Sequence, residues 1–283
     1  MALILDNGLH FISGLPRSGS TLLAGILRQN PRFHAAMTSP VGYIFMSMQT
    51  AVSRKNETAL FLDDDQKRAL LKGVFVNAYH AIHPHKVVVD TNRLWCSKLP
   101  VLTELFPRAK MICCVRNISW IMDSIERIVR RNPFELSGMF GFDAGGTVFS
   151  RINRLASSDG MVGFALDALR EAFFGEQADR LILVDYEALV RAPAATIARL
   201  YDFIGEPAFA HDFDHVEYDA QDYDLALGAA GLHTVRRKIA WTDRPTMLPP
   251  DLFARFGNDS FWTQPAVNIR NVPVILPAGS VTR

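Results

Sequence analysis

Gly14-Leu-Pro-Arg-Ser-Gly-Ser-Thr21 has the residue types of an anion cradle. It joins a short apolar run, Leu9 to Leu15, to Leu22, Leu23, Ile26 and Leu27, which are apolar at helical spacing until Asn30-Pro31 ends the pattern. A glycine-bearing turn between a strand and a helix presents consecutive backbone N–H groups, and the helix adds the positive end of its dipole. Both draw a negative group to the same point. Arg17 places a cation inside that loop, and Ser20 and Thr21 add hydroxyls. A second anion site is legible further along. Arg116 closes an apolar strand pattern beginning at Ala109, and Ser124 lies about two turns into the helix that follows. A guanidinium offers a planar fork of donors to a phosphate, and a serine adds a hydroxyl. Two such sites at the C-terminal ends of strands in one sheet are where α/β folds bind nucleotides.

These side chains need a sheet to hold them, and the chain supplies one. Apolar strand patterns recur at Leu9 to Leu15, Lys86 to Thr91, Ala109 to Arg116 and Leu181 to Tyr186. Helical patterns stand after the first loop and at Pro40 to Val52, Asp63 to Ile82, Leu99 to Leu105, Ile118 to Arg131, Met161 to Phe174 and Ala194 to Ile204. Continuous apolar strands alternating with amphipathic helices predict an α/β fold: a three-layer, P-loop-NTPase-like parallel sheet with helices on both faces. The Gly-rich stretch from Phe140 to Gly146 reads as a surface loop. From Gly205 the periodicity breaks. Residues 1–256 are expected to form the domain and 257–283 an irregular tail, whose Phe261, Trp262 and Val272-Pro-Val-Ile-Leu276 can pack on the body or on a second subunit, making a homodimer.

The bulk composition narrows the partners. Of 283 residues, 49% are apolar and 21% charged, enough apolar content for a packed core. A net charge of +1 gives no overall field toward nucleic acid or anionic lipid, so any anion site is local. The longest apolar runs fall well short of the roughly 20 residues of a membrane span. The N-terminal residues lack a basic stretch ahead of an apolar one, and the three cysteines show neither metal spacing nor a disulfide framework. The expected setting is a reduced, cytoplasmic one.

Gly14 and Gly19 keep the GxxxxG spacing of nucleotide-binding P-loops, but Ser20 stands where an NTPase requires lysine. That lysine works on β- and γ-phosphates beside magnesium. Here the cation is Arg17, which suits a 5′-phosphosulfate with no metal required. Pro16-Arg-Ser-Gly-Ser-Thr-Leu-Leu23 resembles the 5′-phosphosulfate loop of sulfotransferases that use 3′-phosphoadenosine 5′-phosphosulfate (PAPS), nearest the tyrosylprotein-type and related bacterial branch. Arg116 to Ser124 (RNISWIMDS) is similar to the 3′-phosphate motif of that family. Val184 to Leu189 resembles its strand bearing a tyrosine beside the nucleotide, and Leu232 to Lys238 its late basic loop. The resemblance covers Leu9 to Lys238. It implies a nucleotide site made of Pro16, Arg17, Ser18, Gly19, Ser20, Thr21, Arg116, Ser124, Tyr186, His233, Arg236 and Arg237, with Lys238 adding charge. Trp95 and Trp120 can stack on adenine or fill the core.

Sulfuryl transfer needs an acceptor oxygen in line with sulfur, cations on the developing charge and a base for the acceptor proton. Arg17 and the loop N–H groups suit the leaving oxygen. For the base, relatives of the tyrosylprotein type place a Glu soon after the first helix, and other members a His after the strand equivalent to Lys86 to Thr91. This chain has no carboxylate from Phe33 to Asn56 and no histidine from Val89 to Trp95. Asp90 is the candidate base or orienting group, with Arg93 as its partner and a clamp on the sulfuryl group. His34 is the nearest histidine in sequence. The acceptor is expected to carry a hydroxyl, on a peptide tyrosine, a phenol or a lipid-like alcohol, against the apolar stretch Phe33 to Met48. Two other readings stay open: a P-loop kinase of small molecules, and a module that binds 3′-phosphoadenosine 5′-phosphate (PAP) without catalysis.

Overall fold

Four of the strand patterns line up side by side as the centre of one all-parallel, six-stranded sheet in the computed structural model, which describes residues 5, 8–82, 86–143, 145–218, 220–235 and 237–279. The chain runs β1 (Leu9–Gly14), α1 (Ser20–Leu27), β2 (Phe33–Ala35), α2 (Val41–Ala51), α3 (Asp64–Ala78), β3 (Val87–Thr91), α4 (Leu99–Leu105), β4 (Met111–Val115) and α5 (Ile118–Arg131). It continues through α6 (Val148–Ala156), α7 (Met161–Phe174), β5 (Leu181–Asp185), α8 (Tyr186–Arg191), α9 (Pro193–Ile204), α10 (Gln221–Ala226), α11 (Pro250–Arg255) and β6 (Val274–Ile275). The sheet order is β2-β3-β1-β4-β5-β6.

Strand residues alternate between two faces, and each face has its own core. Phe11, Val88, Met111, Cys113 and Leu183 turn to one side, where α2 to α7 and α11 cover them. Ile12, Val89, Ile112, Cys114 and Val184 turn to the other, under α1, α8 and α9. Burial on both faces explains why the strands read as unbroken apolar runs. The three-layer α/β architecture is therefore as expected. The order reverses at β1: the chain first builds outward through β2 and β3, then crosses to β4 on the opposite side. Ligand-binding crevices open at such switch points, beyond the C-terminal ends of the strands.

Two features differ from the sequence reading. β2 is a three-residue edge strand held by pairing with β3, too short to show a pattern of its own. Tyr186, expected at a strand end, is instead the first residue of α8, because Asp185 caps that helix by accepting the Glu187 N–H at 2.8 Å. The residues after 256 are irregular for most of their length but anchored to the body. Phe261, Trp262 and Val272 enter the larger core, and Val274–Ile275 pairs with β5. No helix among the described residues is long and apolar enough to cross a membrane.

Candidate active site

β1 ends on Gly14 with φ +99, where a Cβ would collide with the backbone of Cys114. Only glycine lets β1 and β4 run this close while the chain turns into the loop. The Leu15 N–H then donates to the Cys114 carbonyl at 2.8 Å, and Ser18 Oγ donates to the same carbonyl at 2.9 Å. Ser18 is thus turned inward, and its side chain locks the loop rather than meeting a ligand. Arg17 has φ 56 and Gly19 φ 98, both left-handed. For a non-glycine residue that conformation costs about 1–2 kcal/mol, and such strain gathers at functional sites. At Gly19 a Cβ would press on the Tyr186 ring at 3.0 Å. α1 starts on Gly19 with no side-chain cap, so the N–H groups of Ser20, Thr21 and Leu22 have no partner inside the helix.

These elements frame a cleft of about 990 Å³ at the C-terminal ends of β1, β3, β4 and β5. Pro16, Arg17, Gly19, Ser20, Thr21, Arg116, Ser124, Tyr186 and His233 all line it. The two anion motifs meet inside it: Arg17 Nε donates to Ser124 Oγ at 3.2 Å, and Arg116 Nη1 donates to the Arg17 carbonyl at 3.3 Å. Arg17 Nη1 also donates to the carbonyl of Leu232. The Arg116 guanidinium lies 4.4 Å from the centre of the Tyr186 ring, and Trp241 stands 6.4 Å beyond that ring.

The charge balance of the cleft is lopsided. Arg17, Arg93 and Arg116 line it, and none has a carboxylate ion-pair partner among the described residues. Arg127 and Arg244, which also line it, share the single carboxylate of Asp123 at 2.8 and 2.9 Å. Desolvation by the cleft walls, followed by the charge of Arg116, pushes Arg17 down to about 10. Desolvation lowers Arg93 and Arg116 as well. Thr91 Oγ1, buried in the cleft wall, lacks a hydrogen-bond partner. Uncompensated guanidinium groups, orphaned helix N–H groups and a partnerless hydroxyl form a donor set that fits an anionic ligand. Opposite this polar wall, Met37, Tyr43, Met46, Met139, Met161 and Phe164 give the cleft an apolar wing.

Several expected site residues lie elsewhere. Strand alternation turns Asp90 away from the cleft, onto the core side of β3, where it is 1% exposed. Its carboxylate accepts from Trp95 Nε1 at 2.7 Å, from Ser39 Oγ at 2.6 Å and from the Tyr79 hydroxyl. Burial raises its pKa and those donors oppose the rise. Its oxygens are thus engaged by three donors, one of them the cleft-lining Ser39. Arg93 does not pair with Asp90. His34 sits half-buried on edge strand β2, its ring 5.7 Å from Tyr79 and outside the cleft lining, with its pKa lowered by burial. Arg237 is exposed and does not line the cleft; its carbonyl accepts from the N–H of buried Val216 at 2.8 Å. Lys238 does line it and pairs with Asp214 at 3.0 Å. Arg236 lies outside the described residues. Trp95 is a core residue packed on Phe11, Phe45 and Phe75.

Sequence reasoning missed Asp224, Trp241 and Arg244. Asp224, 2% exposed on α10, accepts from His233 Nδ1 at 2.5 Å and from the His233 N–H at 2.8 Å. No motif joins these residues to the phosphate loops. The only sequence signal is polar and aromatic content in a segment without periodicity.

Comparison with known proteins agrees with this geometry. The fold resembles a sulfotransferase domain from the curacin biosynthetic pathway, at 16% identity and TM-score 0.57 over 88% of this chain and 95% of that one. It also resembles a sulfotransferase from Alicyclobacillus acidocaldarius, at 13% identity and TM-score 0.50 over 78% of this chain and 89% of that one. The profile described as "Sulfotransferase family" matches residues 10–211, a span holding both anion motifs and all the strands that carry them. With most of its length matched, the chain belongs to the sulfotransferase family.

Proposed function

We propose that the chain transfers a sulfuryl group from PAPS to a hydroxyl on an acceptor with an aromatic or lipid-like body. The observation that carries this reading is the convergence of Arg17, Arg93 and Arg116, without carboxylate partners, on one cleft at the strand ends. An excess of positive charge with little solvent to screen it calls for an anionic ligand. Bound PAPS supplies an activated sulfuryl group on a phosphate leaving group. Arg17 and the N–H groups opening α1, with Ser20 and Thr21, hold the 5′ end and take up charge on the leaving oxygen. Arg116 and Ser124 hold the 3′-phosphate. Tyr186, already covered by Arg116, and Trp241 bound the base pocket. Arg93 and Thr91 face the reacting end, and Asp90 orients Ser39 beside it. The apolar wing of methionines and aromatics takes the acceptor body. Cys96, Cys113 and Cys114 are free and buried, in keeping with work in a reducing cytoplasm.

The test is metal-free ligand stabilisation. A ligand that binds only the native state stabilises it by about 2.7 kcal/mol at a hundredfold excess over Kd. PAP in the presence of EDTA is therefore expected to raise Tm by several degrees, and Arg116→Ala to abolish most of that rise. Protection by ATP with magnesium and none by PAP would overturn the reading in favour of a kinase. PAP protection without turnover of PAPS on any phenol or alcohol would favour a binding module.

A further inference from the structure

Asp90 is enclosed by donors and His34 lies on edge strand β2, so neither sequence candidate lines the cleft. The described residues lining the cleft include two carboxylate or imidazole side chains, Asp159 and His233. Asp159 is fully exposed, and a hydrogen bond from Ser157 holds its carboxyl below the usual range, making it a poor proton acceptor. His233 is placed differently. It is half-buried in the cleft wall, directly after Leu232, whose carbonyl accepts from Arg17. The imidazole and the loop cation are therefore neighbours. Asp224 accepts from Nδ1 and from the backbone N–H of the same residue, a two-point grip that fixes the ring. Tyr223 packs edge-on at 5.5 Å. An ionised carboxylate only accepts, so Nδ1 carries the proton and the lone pair stays on Nε2.

We propose that His233 is the general base of the transfer, with Asp224 as its positioning residue. This rests on the reading of the cleft as a PAPS site. In the step, the acceptor oxygen forms its bond to sulfur while the bond from sulfur to the bridging phosphate oxygen breaks. The electron pair of that bond leaves with PAP, toward Arg17, and the hydroxyl proton passes to Nε2. The imidazolium so formed is balanced by Asp224. The charged and titratable groups facing the ring are Asp224, Arg17, Arg93 and Tyr223. Burial and the two arginines favour the neutral ring, and Asp224 favours the charged one. The acidic limb of activity is set by that contest.

The experiment compares forward transfer from PAPS to 4-nitrophenol and to the much less acidic 4-methylphenol, with PAP affinity measured by calorimetry. General-base catalysis contributes about 10²- to 10⁴-fold. His233→Gln is expected to lose about that much kcat on 4-methylphenol, but less than about tenfold on 4-nitrophenol, which ionises without help. PAP affinity should stay within about threefold. Asp224→Asn is expected to leave the acceptor KM unchanged and to move the acidic limb of kcat to lower pH, since the carboxylate raises the imidazole pKa. Imidazole ¹⁵N NMR of the wild type should show one ring locked with its proton on Nδ1, and that signal should vanish in His233→Gln. Equal losses on the two phenols, a matching loss of PAP affinity, or a ring protonated on Nε2 would each overturn the assignment. A wild-type chain that binds PAP and transfers from PAPS to no phenol or alcohol in a broad acceptor panel overturns the transfer reading itself, and the base with it.

Discussion

Asp90 shows how a residue near a reacting centre can be structural. Its carboxylate ties α2's entry (Ser39), α3's C-terminal end (Tyr79) and the core indole of Trp95 to the end of β3. Removing it leaves those donors to bury unsatisfied polar groups, at about 1–3 kcal/mol each. Asp90→Ala is expected to lower unfolding free energy by about 3–5 kcal/mol in urea titrations, whereas Ser39→Ala, which deletes one donor, should cost about 1 kcal/mol. Similar losses for the two variants would show that the carboxylate is not the hub. The contrast with His233 is one of access: both residues have tight polar partners, but only His233 lines the cleft.

Among elements, the junction of β1, its loop and α1 depends on how closely β1 approaches β4. Gly14 allows that approach, and the carbonyl of Cys114 then serves both Leu15 and Ser18. Gly14→Ala adds a Cβ where Cys114 backbone already lies and forces a left-handed residue to carry a side chain. The expected cost is about 3 kcal/mol or more, seen in thermal unfolding, with loss of PAP stabilisation because the loop amides shift together. The capping box of Asp63 and Gln66 on α3 is worth about 1 kcal/mol, lies outside the cleft lining and matters to stability alone.

At the scale of the whole molecule, the stretch after residue 256 returns to complete the larger core. Trp262 is 2% exposed and packs on Phe261, which in turn meets Phe173 of α7. Trp262→Ala is expected to destabilise by about 3–5 kcal/mol and to lower Tm by roughly 10 °C, with PAP affinity retained once the protein is folded. An unchanged Tm would mean that these residues are a dispensable appendage.

By itself, the sequence determined the layered α/β sheet and the two short runs of cation and hydroxyl residues that meet at its strand ends. Strands buried on both faces must be apolar throughout, and an anion cradle between strand and helix needs glycines, hydroxyls and a cation in one short run. Both signals are local, so Gly14 to Thr21 and Arg116 to Ser124 could be read directly. Only the tertiary structure decided which side chains share the cleft. Alternation on β3 sent Asp90 into the core, and the inward turn of Ser18 took its hydroxyl from the ligand side. The pairing of His233 with Asp224 and the return of Trp262 and β6 depend on contacts across the fold, in segments where no periodicity records which face is buried.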